Sequence, residues 1–288
     1  MLASARGARC EGETVDSKSS RMRQLFAQGK SVSEVAKLVG VEYQFAYGVA
    51  KRAGFLDAGA ATAREPRQSS GVLVDVDIEA NLRTYLGDRL PTHRYSSFDY
   101  CFNYFQARRE AGRIADLTAG AELQLACLQL GFYLASWGMY RGSTVLLQRS
   151  VAYLKPVIAA IADSPTDAWD IDAHDYSREA GRKLLDTAAR IRGAFLDGAT
   201  DTLVTKIMLG VFGSVPAYDT NFRKGFGTAV FGESSLMRVG RFYRENAEVI
   251  ERYRIPTLDF DSGRDTERRY PRAKVIDMIF FIEGGAIT

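Results

Sequence analysis

Apolar positions recur at helical spacing along most of this chain and at strand spacing almost nowhere. Met22, Leu25 and Phe26 mark an amphipathic helix ending near Gly29. Ser31 then opens a predicted helix over Val32–Val39, and Glu34, three residues on, completes a capping box. Val35 and Ala36 face inward, and Gly40 ends the helix in the left-handed conformation that glycine adopts most cheaply. A third helix from Glu42 buries Phe45, Ala46 and Val49. Further on, Val72, Val74, Val76 and Ile78 alternate with Leu73, Asp75 and Asp77, a short strand signal or a helix entrance.

The remainder is predicted helical. Ser96–Ala111 is strongly aromatic, and Ala121–Trp137, apolar nearly all round, is the expected central buried helix. Val145–Ala162 is expected as a helix kinked or restarted at Pro156. Glu179–Leu196, Asp201–Phe212, a start at Asp219 and a long helix Glu233–Arg254 follow. Ile255–Arg269 reads as a polar loop, and Pro271 opens a last helix, Arg272–Glu283. No repeat of fixed period appears, so the expected fold is all-α, a small three-helix module plus a larger orthogonal helical domain. The expected boundaries are a disordered lead-in over 1–17, a helix-turn-helix over 18–56, an Ala/Gly/Ser/Arg-rich linker over 57–71, and the helical domain over 72–288.

The stretch Lys18–Arg52, with Ala36 at the helix crossing and Gly40 at the turn, resembles the three-helix DNA-binding modules of bacterial repressors and site-specific recombinases. That resemblance implies that the third helix enters the major groove of double-stranded DNA. Its outward residues would be Glu42, Tyr43, Gln44, Tyr47, Lys51 and Arg52, with Gln44 suited to adenine and Lys51 and Arg52 on phosphates. A small protein-interaction module is the alternative.

The order of elements from Phe195 to Phe226 is similar to the helix-hairpin-helix DNA glycosylases: a Gly-containing hairpin, an apolar helix, then Pro-x-x-Asp-Thr opening another helix. The likeness implies hairpin contact with a DNA phosphate at Gly198 and a carboxylate at Asp219 that supports removal of a flipped base. Lys206 lies about a turn beyond the position of the family's nucleophilic lysine. Asp219 also has the simpler role of a helix N-cap.

Trp137, Tyr140 and Arg141 sit where one apolar helix breaks at Gly138 and Gly142 and another begins near Ser143. They form either a pocket wall, holding an anion or stacking on a base, or a tight corner with Arg141 paired to a carboxylate such as Asp99. A pocket shared by Trp137, Tyr140, Arg141 and Asp219 is the sharper expectation. Asp167, Asp170, Asp172 and Asp175 crowd around His174, but their spacing fits no calcium loop. Arg223 with Lys224, and Arg264, Arg268, Arg269 and Arg272, are two basic patches that would extend a DNA footprint or simply be solvated faces.

The totals are those of ordinary globular protein, with 46% hydrophobic and 25% charged residues. A net charge of +3 confines any nucleic-acid footprint to local patches. Three scattered cysteines and two histidines indicate neither a disulfide framework nor a metal centre, and no cofactor is expected. No run approaches the length of a membrane span and no signal peptide is read, so a cytoplasmic, nucleoid-associated location is expected. The expected function is a DNA-binding protein whose helical domain gives regulation, ligand sensing or homodimerisation. The alternative is a glycosylase-like enzyme that the helix-turn-helix delivers to DNA.

Overall fold

A computed structural model describes residues 15–41, 43–55, 76–142 and 144–287, with backbone alone for 15–17, 43, 44, 51 and 52. The expected linker 57–71, Glu42, Ser143 and the alternating stretch Val72–Asp75 lie outside the described residues, as does the lead-in up to Glu13 and Thr14. The chain divides into two compact units, Met1–Val72 and Leu73–Thr288. Its described residues are all-α apart from one two-stranded sheet, and none of their helices is long and apolar enough to cross a membrane.

The first unit holds α1 (Val15–Ala27), α2 (Val32–Val39) and α3 (Tyr43–Arg52). Ser31 caps α2: its hydroxyl accepts from Glu34 N, and Glu34 accepts from Ser31 N at 2.9 Å. The Ser31 hydroxyl, which donates to Glu34 Oε2 at 2.7 Å, and then Ser31 N hold the Glu34 carboxyl below its ordinary range. Gly40 ends α2 at φ 66°, a left-handed value that costs glycine nothing. Met22, Phe26, Val35, Ala36, Ala46, Val49 and Ala50 close a small core between the helices. Phe45, expected inside, is instead partly exposed on the outer side of α3. The helical step puts Ala46 and Val49 inward and carries Phe45 off that stripe.

In the second unit, α4 (Ile78–Gly87), α5 (Ser97–Glu110), α6 (Gly120–Ser136), α7 (Lys155–Ala162), α8 (Arg178–Gly193) and α9 (Asp201–Phe212) come first. Then follow α10 (Thr220–Phe226), α11 (Glu233–Glu245), α12 (Ala247–Arg252), the hairpin β1 (Pro256–Leu258) with β2 (Asp265–Arg269), and α13 (Arg272–Ala286). Two helices are buried nearly all round. α9, with every residue from Leu203 to Phe212 buried, is wrapped by α5, α6 and α8. α13 is wrapped by α4, α10, α11 and α12. An all-apolar helix has to be surrounded, and these two satisfy that requirement.

Four expectations for this unit need correction. α6 is not the central helix: Leu125, Leu128 and Phe132 are exposed, Phe132 to 68%. Val145–Ala162 is no single helix, because turns and a 3₁₀ segment, Val151–Leu154, precede α7, which starts at Lys155 with Pro156 in its first turn. The helix expected over Glu233–Arg254 is interrupted at Asn246, which leaves helical geometry at φ −126° and ψ 23° while its N–H and its side-chain amide both donate to Phe242 O, at 3.1 and 2.9 Å. The polar loop Ile255–Arg269 is an antiparallel hairpin pairing Pro256 with Arg269 and Leu258 with Asp265. Thr257 anchors it by donating to Asn103 on α5 at 2.8 Å.

α10 and α13 approach each other closely. A β-carbon on Gly284 would stand 1.8 Å from Asn221 O, and one on Gly225 would stand 2.5 Å from Phe280 O. The two backbones therefore touch, which fixes the start of α10 against α13.

Candidate functional site

The site is built where the chain turns back after α9. Gly213 takes a left-handed φ of 69°, and a β-carbon there would meet Pro271 Cγ at 2.4 Å, so the reversal needs glycine. The returning segment is pinned from two sides. The Thr202 hydroxyl donates to Tyr218 O, and Tyr218 N donates to the Thr205 hydroxyl, both at 2.9 Å. From α13, Asp277 accepts from Ala217 N at 2.9 Å. Asp219 is thereby set beside Lys206 of α9.

Asp219 caps α10, accepting from Phe222 N at 3.0 Å through Oδ1. Through Oδ2 it accepts from Lys206 Nζ at 2.9 Å. The lysine side chain is 5% exposed and the carboxylate 15%, so the pair lies at the boundary between core and surface. The cap role and a place in a site are thus both realised in one residue.

The pair opens into a cleft of about 270 Å³ whose lining includes Arg94, Trp137, Arg141, Thr202, Lys206 and Asp219. Trp137 terminates α6 and stands edge-on to Tyr95 and Phe281, at centroid distances of 5.6 and 5.4 Å. Lys206 Nζ lies 5.2 Å from the centre of the indole, Arg94 Cζ 5.4 Å and Lys274 Nζ 5.5 Å. These are cation–π distances, so one ring carries the field of three cations. Gly138 lets Arg141 fold back over the backbone, since a β-carbon there would meet Arg141 Nε at 2.7 Å. The buried indole N–H of Trp137 has no hydrogen-bond partner.

A narrow crevice that shares Trp137, Lys206 and Asp219 with the cleft is lined by a second, buried ion pair. Lys274 Nζ lies 3.0 Å from Asp277 Oδ2 and donates to the Tyr85 hydroxyl at 2.8 Å. Burial pushes the Asp277 carboxyl up; Lys274 opposes that shift and the nearby Asp219 charge adds to it. The Tyr85 phenol is pushed well up by burial and by Asp277. The two pairs form one polar seam between α9, α10 and α13.

Of the residues expected on the pocket, Trp137, Arg141 and Asp219 do share this cleft. Tyr140 does not line it; its hydroxyl is buried near Gly131 without a hydrogen-bond partner. Asp99 pairs with Arg89 at 2.8 Å and not with Arg141. The Gly198 hairpin has its left-handed glycine, φ 78°, but the Gly198 N–H already donates to Phe195 O at 3.2 Å. Tyr47 is at the surface of α3, while the side chains of Tyr43, Gln44, Lys51 and Arg52 lie outside the described residues.

The acidic cluster is taken up by cations: Asp167 with Lys183, Asp170 with Arg109, Asp172 with Arg272. Among the described residues no three acidic, His or Cys side chains are grouped to hold a metal. In the basic patches, Arg268 pairs with Glu110 and Arg272 with Glu251, so neither is a free phosphate contact.

Sequence reasoning missed Arg94, Lys206, Lys274 and Asp277 as site residues. A signal existed for three of them. Lys206 interrupts the apolar run Leu203–Phe212, and Lys274 and Asp277 interrupt Ala273–Phe280 at a spacing of three. A charge inside a stretch that must be buried needs a partner or a ligand. The chain matches no model of a known protein family, no curated protein and no solved structure.

Proposed function

We propose that this chain is a DNA-binding protein in which the three-helix unit contacts double-stranded DNA and the larger helical unit senses a small ligand in the Trp137 cleft. The DNA half is supported by the α2–α3 corner: a capped α2, the left-handed Gly40, and a core that uses one face of α3 and leaves the other at the surface. Ligand sensing is supported by the cleft itself, where cations and an aromatic ring converge beside the Lys206–Asp219 pair.

A second copy of the chain is the partner proposed for the exposed face of α6. Ala121, Leu125, Leu128, Phe132 and Ala135 are all exposed and recur at alternating steps of four and three, the spacing of a helix–helix seam. A dimer would read a palindromic site. Selection of bound duplexes from a random pool tests the DNA assignment. A discrete motif is expected; Gln44→Ala should relax it, and Lys51→Ala should weaken all sequences and lower the salt slope by about 1. Binding unchanged by both substitutions would refute the groove assignment.

The enzyme reading has one observation in its favour, the Lys206–Asp219 pair at the mouth of a cleft beside an indole. In that reaction Asp219 would stabilise positive charge as the glycosidic bond breaks, or take a proton from the attacking water. It stands second because both carboxylate oxygens are already engaged, by Phe222 N and by Lys206. Release of free base that Asp219→Asn abolishes would reverse the order.

A further inference from the structure

We propose that the ligand of the Trp137 cleft is a small phosphomonoester, an organic molecule ending in a phosphate dianion; this deepens the ligand-sensing reading and rests on it. Charge is the first reason. Arg94, Arg141 and Lys206 line the cleft against the single carboxylate of Asp219, an excess of two positive charges. A phosphomonoester carries close to two negative charges at neutral pH on one tetrahedral group. A monocarboxylate would leave one of those cations unmatched.

The second reason is that two of the cations are unspent. The buried or half-buried Arg89, Arg108 and Arg268 are paired with Asp99, Glu122 and Glu110, whereas Arg94 and Arg141 are exposed at the cleft. Among the described residues the guanidinium groups of Arg94 and Arg141 have neither a carboxylate partner nor a hydrogen bond; Arg94 rests only on the rings of Tyr95 and Trp137. Guanidinium is the group that meets phosphate or carboxylate oxygens two at a time, and both residues are exposed, so their N–H groups are open to a ligand. Lys206 spends one N–H on Asp219 and has two more.

The third reason is Asp219. A site for a bare anion gains nothing from a carboxylate in its lining. A ligand that also carries hydroxyl groups does gain, because each carboxylate oxygen of Asp219 retains a lone pair beyond those used by Phe222 N and Lys206. Size closes the description. About 270 Å³ lies just below the lower end of ordinary ligand pockets, room for a phosphorylated sugar and too little for a length of duplex.

The test uses the full chain with Trp169→Phe, so that Trp137 is the remaining tryptophan and its emission reports on the cleft. Ribose 5-phosphate should give a saturable change, displaced by inorganic phosphate and absent with ribose. Arg94→Ala and Arg141→Ala should each weaken binding by at least about tenfold while the far-ultraviolet dichroism stays that of the parent. Calorimetry on the unsubstituted chain gives the same answer without relying on emission. Saturation by succinate but not by ribose 5-phosphate would overturn the phosphate assignment and leave the cleft a ligand site. No heat and no emission change with any of these anions would overturn both. Neither result touches DNA selection by α3, which fails or stands separately.

Discussion

Removing Asp219 should destabilise the helical unit about twice as much as removing Lys206, although each substitution breaks the same ion pair. Breaking a buried pair by deleting one partner costs about 3–5 kcal/mol because a charge is stranded. Here the pair borders an open cleft, so the lower end, about 3 kcal/mol, applies to Asp219→Ala, which strands an ammonium on a side chain only 5% exposed. The same substitution deletes the N-cap of α10, worth about 1 kcal/mol more. Lys206→Met keeps the cap and strands a carboxylate that is 15% exposed and still accepts from Phe222 N, so its cost should be about 2 kcal/mol. With a urea slope of about 2.5 kcal/mol/M for a unit of this size, the midpoints fall by about 1.6 and about 0.8 M. Tryptophan emission is the assay, since Trp137 and Trp169, the two tryptophans of the chain, both belong to this unit. The double variant should be no less stable than Asp219→Ala alone, because deleting the lysine removes the stranded charge. Equal single costs, or losses that add in the double variant, would refute the pairing.

Other consequences are as direct. Gly284→Ala places a carbon 1.8 Å from Asn221 O and should cost about 3 kcal/mol or more, whereas Gly285→Ala, with nothing nearer than 3.5 Å, should be neutral or gain up to about 1 kcal/mol; thermal melts of the two separate backbone contact from helix propensity. Partial burial acts to raise the Glu251 carboxyl, but hydrogen bonds from Tyr243, Arg254 and Arg272 outweigh it and hold the group below its ordinary range. Its stabilisation is therefore present above the unfolded value near about 4.3 and lost as pH falls through the lower folded value. Glu251→Gln should flatten the fall of the urea midpoint between about pH 5 and 3, and an unchanged slope would exclude that network as its source. Phe132→Glu on α6 should shift a dimer to monomer in sedimentation, and a parent chain already monomeric at high concentration would rule out the α6 seam.

The first unit was legible because its signals are local. Ser31, Glu34 and Gly40 act within a few residues of themselves, and α2 runs over the Val32–Val39 expected from them. α9 likewise spans the predicted Asp201–Phe212. The errors arise where tertiary context decides. An apolar circumference cannot say which of α6, α9 and α13 is central, and the break at Asn246 falls on one residue whose side chain adds a second donor to the Phe242 carbonyl. In the site, Trp137, Arg141 and Asp219 were recognisable as residue types in telling places. Lys206 was not, because its partner Asp219 stands 13 residues on along the chain. The reversal at Gly213 lays Tyr218 beside Thr202 and Thr205 and so brings Asp219 onto Lys206, a pairing that linear spacing does not encode.

One measurement separates the proposed regulator from an enzyme most directly: a protection footprint of the full chain on its selected duplex, with half of each sample heated in alkali before electrophoresis. A discrete protected site with no alkali-dependent cleavage is the predicted result. Alkali-labile breaks that wild-type protein makes and Asp219→Asn does not would contradict it.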